Sequence, residues 1–438
     1  MYKSHKKNKK YSPVPAVYLH IPFCREICPF CSFAVCKDHS DLHSKYITEM
    51  LKEISMIVEE IKGINQKESE LKKNNGHKLL ESIYVGGGTP SRLSIPELSK
   101  LLSKVREHLP CSKNVEITFE MNPEDVSPEY LNNLAKIGVN RLSLGGQSFR
   151  DSLLRRLGRC HDASDLRKAC EEIVNSPFQN WNIDLMFGIP GQSVSMFKKD
   201  VEAAISYKPN HISLYGLEIH DRTPFGKNMQ ICKWVNEHHE QYEEMYIWAI
   251  SRLEAEGLIQ YEVSNFSEKG NESRNNLLVW SGKEYLGFGA GAHSYYERTR
   301  KGNIGSVKPY ISHLKKNTLP VEFEEQLSST QLAVEFLMLG LRSSEGVNLQ
   351  GWIERFELEW STQEEQYVNS LYEQGHALKK DNHFCLTPKG MLIADRITVQ
   401  LMPSNSSHKT IKLLFKFLSK VFSKYSEKQY KCFTRWEN

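Results

Sequence analysis

Long hydrophobic runs are missing from this chain of 438 residues. No stretch of about 18 consecutive apolar residues occurs, which excludes a membrane-spanning helix. The basic residues 1–10 are followed by no apolar stretch of the length that a signal peptide needs, so we expect no secretion. A hydrophobic share of 39% is ordinary for a cytoplasmic protein with a large core, and the length allows roughly three domain-equivalents.

Cysteine is scarce as well. Ten cysteines in this length are too few for a disulfide scaffold. Six of them lie far apart along the chain, and we interpret them as buried or incidental thiols: Cys111, Cys160, Cys170, Cys232, Cys385 and Cys432. The other four are crowded between positions 24 and 36, and this crowding is the first indication of a functional site.

Positive charge is missing from the body of the chain. The formal net charge of +4 combines two basic ends with an acidic middle. Residues 1–10 carry five lysines and no acidic residue, and residues 403–438 carry seven lysines, one arginine and two glutamates, which leaves a net charge of −7 on residues 11–402. A body of this sign does not fit a nucleic-acid clamp, so we expect no nucleic-acid partner.

Strand-like and helix-like segments alternate from residue 16 to residue 266. Six β-branched or aromatic runs are predicted as strands, at 16–21, 82–86, 115–121, 141–145, 182–188 and 211–217. Six helical patterns are predicted near 41–61, 94–107, 127–137, 163–175, 193–206 and 235–255. The alternation indicates a parallel sheet with right-handed crossovers. Periodicity leaves a doubly wound sheet and a curved partial barrel open, and both place ligands at the carboxyl ends of the strands.

The rest of the chain follows other patterns. Polar residues 62–79 are predicted to form a surface loop. The five predicted regions are a basic N-terminal segment (1–15), an α/β core (16–266), a glycine-containing connecting segment (267–327), a small, mainly helical C-terminal domain (328–402) and a basic tail (403–438).

Cys24, Cys28 and Cys31 follow the first predicted strand with the spacing CxxxCxxC. A structural zinc site is one interpretation, but it needs a fourth Cys or His, and no matching CxxC occurs elsewhere in the sequence. Three thiolates can instead hold three irons of a [4Fe–4S] cluster and leave the fourth iron open for a substrate or cofactor. With Phe30 just before the third cysteine, this motif resembles that of the radical S-adenosylmethionine enzymes.

The resemblance implies a fold and a chemistry. The fold is a partial (β/α)6 TIM-like barrel, of the α/β class. The chemistry is transfer of an electron from a reduced [4Fe–4S] cluster to S-adenosylmethionine on the open iron, which releases methionine and a 5′-deoxyadenosyl radical. Cys24, Cys28 and Cys31 are the implied metal ligands. The GGGTP sequence at 86–90 follows the second strand; a phosphate loop is the rival interpretation, but GxxxxGK[ST] is absent.

A longer set of motifs narrows the resemblance and extends it to about residues 16–400. YLHIPFC, GGGTPS, NPE, GVNRLSLGGQSF, LGRCH, IDLMFGIPGQ and HISLY are together similar to the branch that contains oxygen-independent coproporphyrinogen III oxidase and the heme chaperone HemW. By this resemblance, the residues that contact S-adenosylmethionine are Tyr18, Phe30, Gly87, Gly88, Thr89, Glu120, Gln147, Arg159 and Asp184.

Two features favour the heme chaperones over the oxidases. The oxidases have a fourth cysteine two residues after the third, where this chain has Phe33. The motifs EFLMLGLR (335–342), SEGV (344–347) and LTPKGMLIAD (386–395) resemble the terminal domain of the chaperones. The implied function is to bind heme and deliver it to apo-hemoproteins, with an electron donor for the cluster as a further partner.

Other functions stay open, and with them the question of whether the protein is an enzyme. One alternative is an oxidoreductase that converts coproporphyrinogen III to protoporphyrinogen IX. A second is a radical enzyme that acts on heme itself, and a third is a non-enzymatic zinc module.

One departure from the chaperone family concerns heme. The family carries a His-Asn-x-x-Tyr-Trp motif associated with heme, and the corresponding stretch here, NNLLVW, has Asn275 in place of the histidine and Val279 in place of the tyrosine. Asparagine cannot replace imidazole as a strong iron ligand. Two further departures, Gly146 for Val and His220 for Glu, are interpreted as changes in packing or in the substrate cavity. The remaining candidate heme ligands, among which the sequence selects none, are His20, His161, His211 and His293.

The basic tail contains an amphipathic pattern. Between residues 408 and 428 apolar side chains recur at helical spacing, with lysines between them. Two interpretations stay open: a helix packed on the C-terminal domain with its lysines in solvent, or a peripheral attachment to an anionic membrane surface.

Overall fold

The computed structural model describes residues 12–69 and 79–402 of the chain. Most of the N-terminal segment, part of the polar insertion and the basic tail, with its pattern at 408–428, lie outside these residues. Within the described parts, no helix is both long and apolar enough to cross a membrane.

The described residues form strands and helices in the following order. The strands are β1 (Ala16–Ile21), β2 (Phe23–Cys24), β3 (Cys36–Lys37), β4 (Leu80–Gly87), β5 (Cys111–Met121), β6 (Arg141–Gln147), β7 (Trp181–Phe187), β8 (His211–Gly216), β9 (Ile259–Glu262), β10 (Asn265–Ser267), β11 (Tyr285–Phe288), β12 (His293–Tyr296), β13 (Thr299–Asn303), β14 (Val321–Gln326), β15 (Ala377–Lys380) and β16 (His383–Leu386). The α-helices are α1 (Ser40–Ser69), α2 (Ile95–His108), α3 (Pro128–Lys136), α4 (Asp151–Arg156), α5 (Ala163–Val174), α6 (Val194–Ser206), α7 (Pro224–Lys227), α8 (Met229–Glu237), α9 (His239–Glu254), α10 (Arg274–Trp280), α11 (Val307–Lys315), α12 (Ser329–Gly340), α13 (Leu349–Phe356), α14 (Thr362–Glu373), α15 (Pro388–Leu392) and α16 (Ala394–Gln400). Short 3-10 helices span Pro90–Arg92 and Pro123–Asp125.

One large sheet organises the chain, in the strand order β14-β13-β12-β11-β1-β4-β5-β6-β7-β8-β10-β9. Its six central strands, from β1 to β8, pair in parallel and in chain order, and at least one helix joins each to the next. At the carboxyl ends, Ile21 of β1 lies beside Gly87 of β4. Six parallel strands joined in this way confirm the predicted α/β fold with a partial (β/α)6 barrel.

Local signals explain why these elements form. Every residue of β6 except the last is buried, as expected for a parallel strand covered on both faces. In α2, a capping box between Ser94 and Glu97 satisfies the first N–H groups, and the leucines at 98, 101 and 102 turn one face into the core. The predicted start of α3 is also confirmed, because the Ser127 hydroxyl accepts a hydrogen bond from the Tyr130 N–H at 3.3 Å.

The predicted surface loop at 62–79 is wrong in its first half. Helix α1 continues to Ser69 instead of ending near residue 61. Lysine, glutamine and glutamate are abundant in this stretch and are good helix formers. A polar composition therefore did not distinguish a loop from a helix without an apolar face.

Residues 285–326, within the predicted connecting segment, extend the sheet. Strand β11 pairs in parallel with β1, and β12, β13 and β14 follow as antiparallel neighbours. These strands were not predicted, because glycines interrupt their hydrophobic pattern. Gly302 shows what the glycines allow: a Cβ there would lie only 2.1 Å from the Phe323 ring, so glycine leaves the space in which this ring packs.

The C-terminal part forms a second core, mainly of helices. Helices α12 to α16 pack around a β15–β16 hairpin, and Trp352 of α13 lies at their centre. The Trp352 side chain is 1% exposed, and its indole N–H donates to the Ala333 carbonyl oxygen of α12 at 2.8 Å. This contact fixes α13 against α12.

A buried carboxylate, Glu53, links α1 to the extended part of the sheet. It accepts hydrogen bonds from the Gly289 N–H at 2.9 Å, from the Asn303 side-chain amide and from the Tyr310 hydroxyl. Burial raises the pKa of Glu53 to about 7, although these hydrogen bonds act in the opposite direction. The group is therefore a titratable part of the core.

This raised pKa predicts a pH-dependent contribution to stability. The folded-state pKa of Glu53 lies above the ordinary value of 4.5. The contribution of the protonated Glu53 carboxyl to the free energy of unfolding is therefore fully present below pH 4.5 and is lost as the pH rises through about 7. We expect the melting temperature of the wild type, relative to that of Glu53→Gln, to fall between about pH 5 and about pH 8. Scanning calorimetry measures this, and Glu59→Gln, exposed on the same helix, is the control. An equal difference at both pH values contradicts the prediction.

Candidate functional site

The loop after β1 carries the predicted cluster motif. The short strands β2 and β3 pair at its base, and the Cys36 N–H donates to the Pro22 carbonyl oxygen at 2.8 Å. Within the loop, the Cys31 N–H donates to the Cys28 carbonyl oxygen at 3.0 Å. The loop thus holds Cys28 and Cys31 beyond the carboxyl end of β1, with Cys24 on β2 and Cys36 on β3 at its base.

Burial and neighbouring charges shift the pKa of two of these thiols. Burial raises the pKa of Cys24 to about 12 and that of Cys31 to about 11, and neighbouring thiols raise both. The Arg159 guanidinium acts in the opposite direction on both, and its Nη1 donates to the Cys28 Sγ at 3.8 Å. Buried thiols of this kind lose their protons when a metal centre binds, since the thiolate is the ligand.

The residues present fit a [4Fe–4S] cluster. Gly88, at the end of β4, leaves space beside the loop, because a Cβ there would lie 2.8 Å from the Cys24 Sγ. In the described residues, no group of three or more His, Cys, Asp or Glu side chains is arranged to hold a single metal ion. A cubane needs no such group, because its three thiolates bind three different irons.

Glu120, near the end of β5, connects two strand ends. Its Oε1 accepts a hydrogen bond from the Tyr84 hydroxyl at 2.7 Å, and its Oε2 accepts one from the Gly87 N–H at 2.9 Å. Burial raises the pKa of Glu120 to about 7, and the charge of Asp184 adds to this. The carboxyl is placed to accept a hydrogen bond from an amine or hydroxyl of a ligand above the sheet.

Arg159 joins the cluster loop to the strand ends through a residue that the sequence analysis missed. Its Nη2 donates to the Asn122 Oδ1 at 2.6 Å and to the Gly145 carbonyl oxygen at 3.0 Å. The Asn122 amide in turn donates to the Thr89 hydroxyl oxygen at 3.2 Å. Asn122 lies in the NPE motif, directly after β5, and that position was the signal for its role.

Two further predicted contacts of S-adenosylmethionine, Gln147 and Asp184, lie on the neighbouring strands β6 and β7. Gln147 ends β6 with a φ of +65°, in the left-handed region. Asp184 lies within β7, where its carboxylate accepts hydrogen bonds from the Asn182 amide at 2.6 Å and the Ser143 hydroxyl at 3.4 Å. Burial raises the pKa of Asp184. This carboxylate therefore belongs to a buried polar network that extends along the sheet.

Two predicted aromatic contacts differ in their surroundings. The Tyr18 ring stacks on Tyr84 at 6.0 Å, and its hydroxyl hydrogen-bonds to the His20 Nδ1 at 3.0 Å. Through Tyr84 it is linked to Glu120. Phe30 packs against Phe225, with 6.3 Å between ring centroids, in a small apolar cluster beside the barrel.

A cavity of about 980 Å³ opens beside the cluster loop. Its walls come from this loop, from strands β12 to β14, from α10 and from α12 and α13 of the C-terminal part. Asn275 and Val279, the altered positions of the family's heme motif, line it. The lining also includes aromatic and cationic side chains: Phe33, Tyr285, Tyr295, Phe323, Phe336 and Phe356, with Arg222, Lys283, Arg298, Arg300 and Arg355.

The two other departures from the family lie outside the described walls of this cavity. A Cβ on Gly146 would lie 3.1 Å from the Leu166 Cδ1, so the usual valine would crowd α5. The His220 Nε2 lies 3.9 Å from the Glu218 carboxylate. Gly146 is thus a matter of packing, as one of the two interpretations predicts.

Comparisons with known proteins agree on the lineage of the chain. Residues 18–204 match the radical SAM superfamily, and residues 327–393 match the HemN C-terminal domain. The heme chaperone HemW of Bacillus subtilis is 34% identical over 383 residues, which are 87% of this chain and 97% of that protein. The mitochondrial radical S-adenosyl methionine domain-containing protein 1 of Danio rerio is 32% identical, over 77% of this chain and 74% of that protein.

The fold also has a close match among solved structures. The coproporphyrinogen III oxidase HemN of Escherichia coli superposes with a TM-score of 0.73, over 90% of this chain and 91% of that one. At 19% identity, this match shows a shared architecture of barrel and C-terminal domain. Because the similarity to the Bacillus protein extends over nearly the whole of that protein, this chain belongs to the HemW family of radical S-adenosylmethionine proteins.

Proposed function

We propose that this protein is a heme chaperone. It holds a [4Fe–4S] cluster on Cys24, Cys28 and Cys31, binds S-adenosylmethionine at the adjoining strand ends, and carries heme in the cavity for delivery to apo-hemoproteins. The observation that carries the proposal is a single cavity whose walls join the cluster loop to the C-terminal part. Relatives named heme chaperone HemW, matched over nearly their whole length, support it.

The chain's own residues have separate tasks in this proposal. When bound, the cluster and S-adenosylmethionine supply one-electron chemistry at the barrel mouth. Arg159 places a positive charge beside the thiolates, which stabilises their deprotonated form. Glu120 accepts a hydrogen bond from the cofactor, and Asn122 holds Arg159 and Thr89 in place. The remaining contacts proposed for S-adenosylmethionine are Tyr18, Phe30, Gly87, Gly88, Gln147 and Asp184.

The cavity suits a tetrapyrrole. Aromatic rings on several walls offer flat apolar surface to a macrocycle. Five cationic side chains line the cavity beside three acidic ones, and one of those acids, Glu335, is paired with Arg300 at 2.8 Å. The excess of positive charge favours the two propionates of heme.

Replacing Glu120 tests the S-adenosylmethionine site. A hydrogen bond to a charged group contributes about 1.5–3 kcal/mol, so Glu120→Gln is expected to weaken S-adenosylmethionine binding at least about tenfold. Equilibrium dialysis of the anaerobically reconstituted protein measures the dissociation constant. Glu129→Gln, an exposed change on the helix that follows the same strand, is the control. Equal affinities for Glu120→Gln and Glu129→Gln rule out this role.

Heme binding and transfer test the proposed function itself. We expect the anaerobically purified protein to bind heme stably, as followed by difference absorption against protein without heme, and to pass it to an apo-hemoprotein in a mixing experiment. Absence of stable heme binding rejects the chaperone function. Formation of protoporphyrinogen from coproporphyrinogen III in the presence of S-adenosylmethionine and reductant replaces it with the oxidase alternative. An altered tetrapyrrole after incubation with heme establishes a heme-modifying enzyme instead.

The location of this activity is part of the proposal. We place the protein in the cytoplasm, with the basic tail, 403–438, as a peripheral contact to anionic membranes. Co-sedimentation with anionic liposomes is expected to decrease when residues 404–438 are deleted. Equal sedimentation of the full chain and the deletion variant rejects a membrane role for the tail.

A further inference from the structure

The cavity beside the cluster loop contains few imidazole or thiolate side chains, although Met338 and the tyrosines Tyr18, Tyr285 and Tyr295 also line it. Among its described lining residues, two are histidines, His20 and His293, and none is a cysteine. The scarcity of histidines matters because Asn275 stands where the heme motif of the family has its histidine. Asn275 lines the same cavity. An imidazole ligand for a heme in this cavity therefore has to come from another wall.

His20 does not suit that role. It is buried, its Nε2 donates to the Ala34 carbonyl oxygen at 2.8 Å, and its Nδ1 accepts from the Tyr18 hydroxyl at 3.0 Å. Because a carbonyl oxygen only accepts, the proton is on Nε2, and both ring nitrogens are occupied. Iron binding would break one of these bonds and leave a buried polar group unsatisfied.

The two remaining candidates lie away from the cavity. His161 is buried, with its Nε2 bonded to the Gly146 carbonyl oxygen at 3.2 Å. His211 is held between the Asn182 amide oxygen at 2.7 Å and the Tyr261 hydroxyl at 2.8 Å. Neither is among the residues that line the cavity.

His293 lies on a cavity wall formed by paired strands. It lies on β12 opposite Gly302 of β13, and its ring meets the Phe323 ring edge-on at 5.3 Å. Tyr295, two residues further along the same strand, lines the cavity on the same face, and the Arg300 guanidinium lies 5.4 Å above its ring. An imidazole and an aromatic surface are thus held on one strand, next to the Arg300–Glu335 ion pair of the neighbouring strand and α12.

We propose that His293 is the axial iron ligand of heme in this protein. The inference rests on the proposed heme-chaperone function and assigns a ligand that the altered motif no longer supplies. The imidazole of His293 donates its nitrogen lone pair to the iron, while other cationic side chains of the cavity, such as Lys283 and Arg355, receive the propionates. The loss of histidine at position 275 is compensated from a different wall of the same cavity.

Ferric heme titrated into the anaerobically purified, cluster-containing protein tests the inference. Difference absorption cancels the contribution of the cluster, and electron paramagnetic resonance of the ferric heme reports the axial ligand. We expect His293→Ala to weaken heme binding at least about tenfold and to lose the imidazole signature, which added imidazole restores. His239→Ala, an exposed histidine outside the cavity wall, is expected to behave as the wild type.

A second variant keeps the test decisive if His293→Ala does not fold, which thermal melting of the heme-free protein reveals. His293→Met retains a bulky side chain and offers a thioether, so the heme spectrum changes if this position contacts the iron. A wild-type spectrum and affinity in His293→Met, or in folded His293→Ala, overturn the ligand assignment while the chaperone function stands. Failure of the wild type to bind heme overturns the chaperone function, and the assignment with it.

Discussion

Replacing Cys28 with alanine is expected to abolish assembly of the [4Fe–4S] cluster, whereas the same change at Cys36 is expected to leave it intact. In the loop after β1, Cys28 stands beside Arg159, which donates to its sulfur at 3.8 Å. Cys36 instead lies five residues beyond the CxxxCxxC motif, in β3, where it pairs with Phe23. Three thiolates bind three of the four irons of a cubane and leave one iron open. The loss of one thiolate therefore removes a ligand that the rest of the loop cannot supply.

The measurement is the content of iron and acid-labile sulfide after anaerobic reconstitution, together with the absorption of the cluster. We expect about four irons per chain for the wild type and for Cys36→Ala, and near-background iron for Cys28→Ala. Equal iron in Cys28→Ala and Cys36→Ala contradicts the assignment of ligands. Zinc in the wild type without iron or sulfide would establish the zinc module that the sequence analysis left open.

Replacing Trp352 with alanine is expected to destabilise the C-terminal part by about 3–5 kcal/mol, because truncation of a fully buried tryptophan leaves a large void. The indole is 1% exposed, bonds to the Ala333 carbonyl oxygen and packs edge-on against Trp360 at 5.9 Å. Helix α13, which it anchors, carries Arg355 and Phe356 to the cavity wall. The variant is therefore expected to weaken heme binding as well.

Hydrogen exchange monitored by mass spectrometry checks this prediction, because it reports the opening free energy of α12 and α13 separately from that of the barrel. Leu378→Ala is the matched control: Leu378 belongs to the same part of the chain but is 44% exposed, so we expect a change of only about 0.5 kcal/mol or less. Unchanged protection of α12 and α13 in Trp352→Ala shows that the indole does not hold these helices together.

Periodicity and caps predicted the six parallel strands of the barrel and the main helices between them, but not the short helix α4. The strand predicted at 16–21 has the same bounds in the structure, and the six predicted strands and their helices all occur in the predicted order. The alternation of buried β runs with helices is a local signal, which each segment carries by itself. Parallel pairing in chain order then follows from short right-handed crossovers.

The segment between residues 285 and 326 shows where local signals fail. Its strands contain glycines at positions such as Gly287 and Gly302, where the close approach of another chain segment forbids a side chain. The reason for those glycines is a contact with His293 or Phe323, so it is visible only once the strands are paired. The pairing of β11 with β1, from the opposite end of the barrel sequence, is equally non-local.

The sequence by itself determined the motif of three cysteines, the order of the barrel strands and the resemblance to one family, because covalent spacing and residue periodicity are written into the chain. Tertiary structure alone decided that Asn122 joins Thr89 to Arg159, and that the altered position Asn275 shares a cavity with His293. These facts depend on strand register and on the direction in which each side chain points. Both are set by packing between segments that are distant in the sequence, which no local pattern encodes.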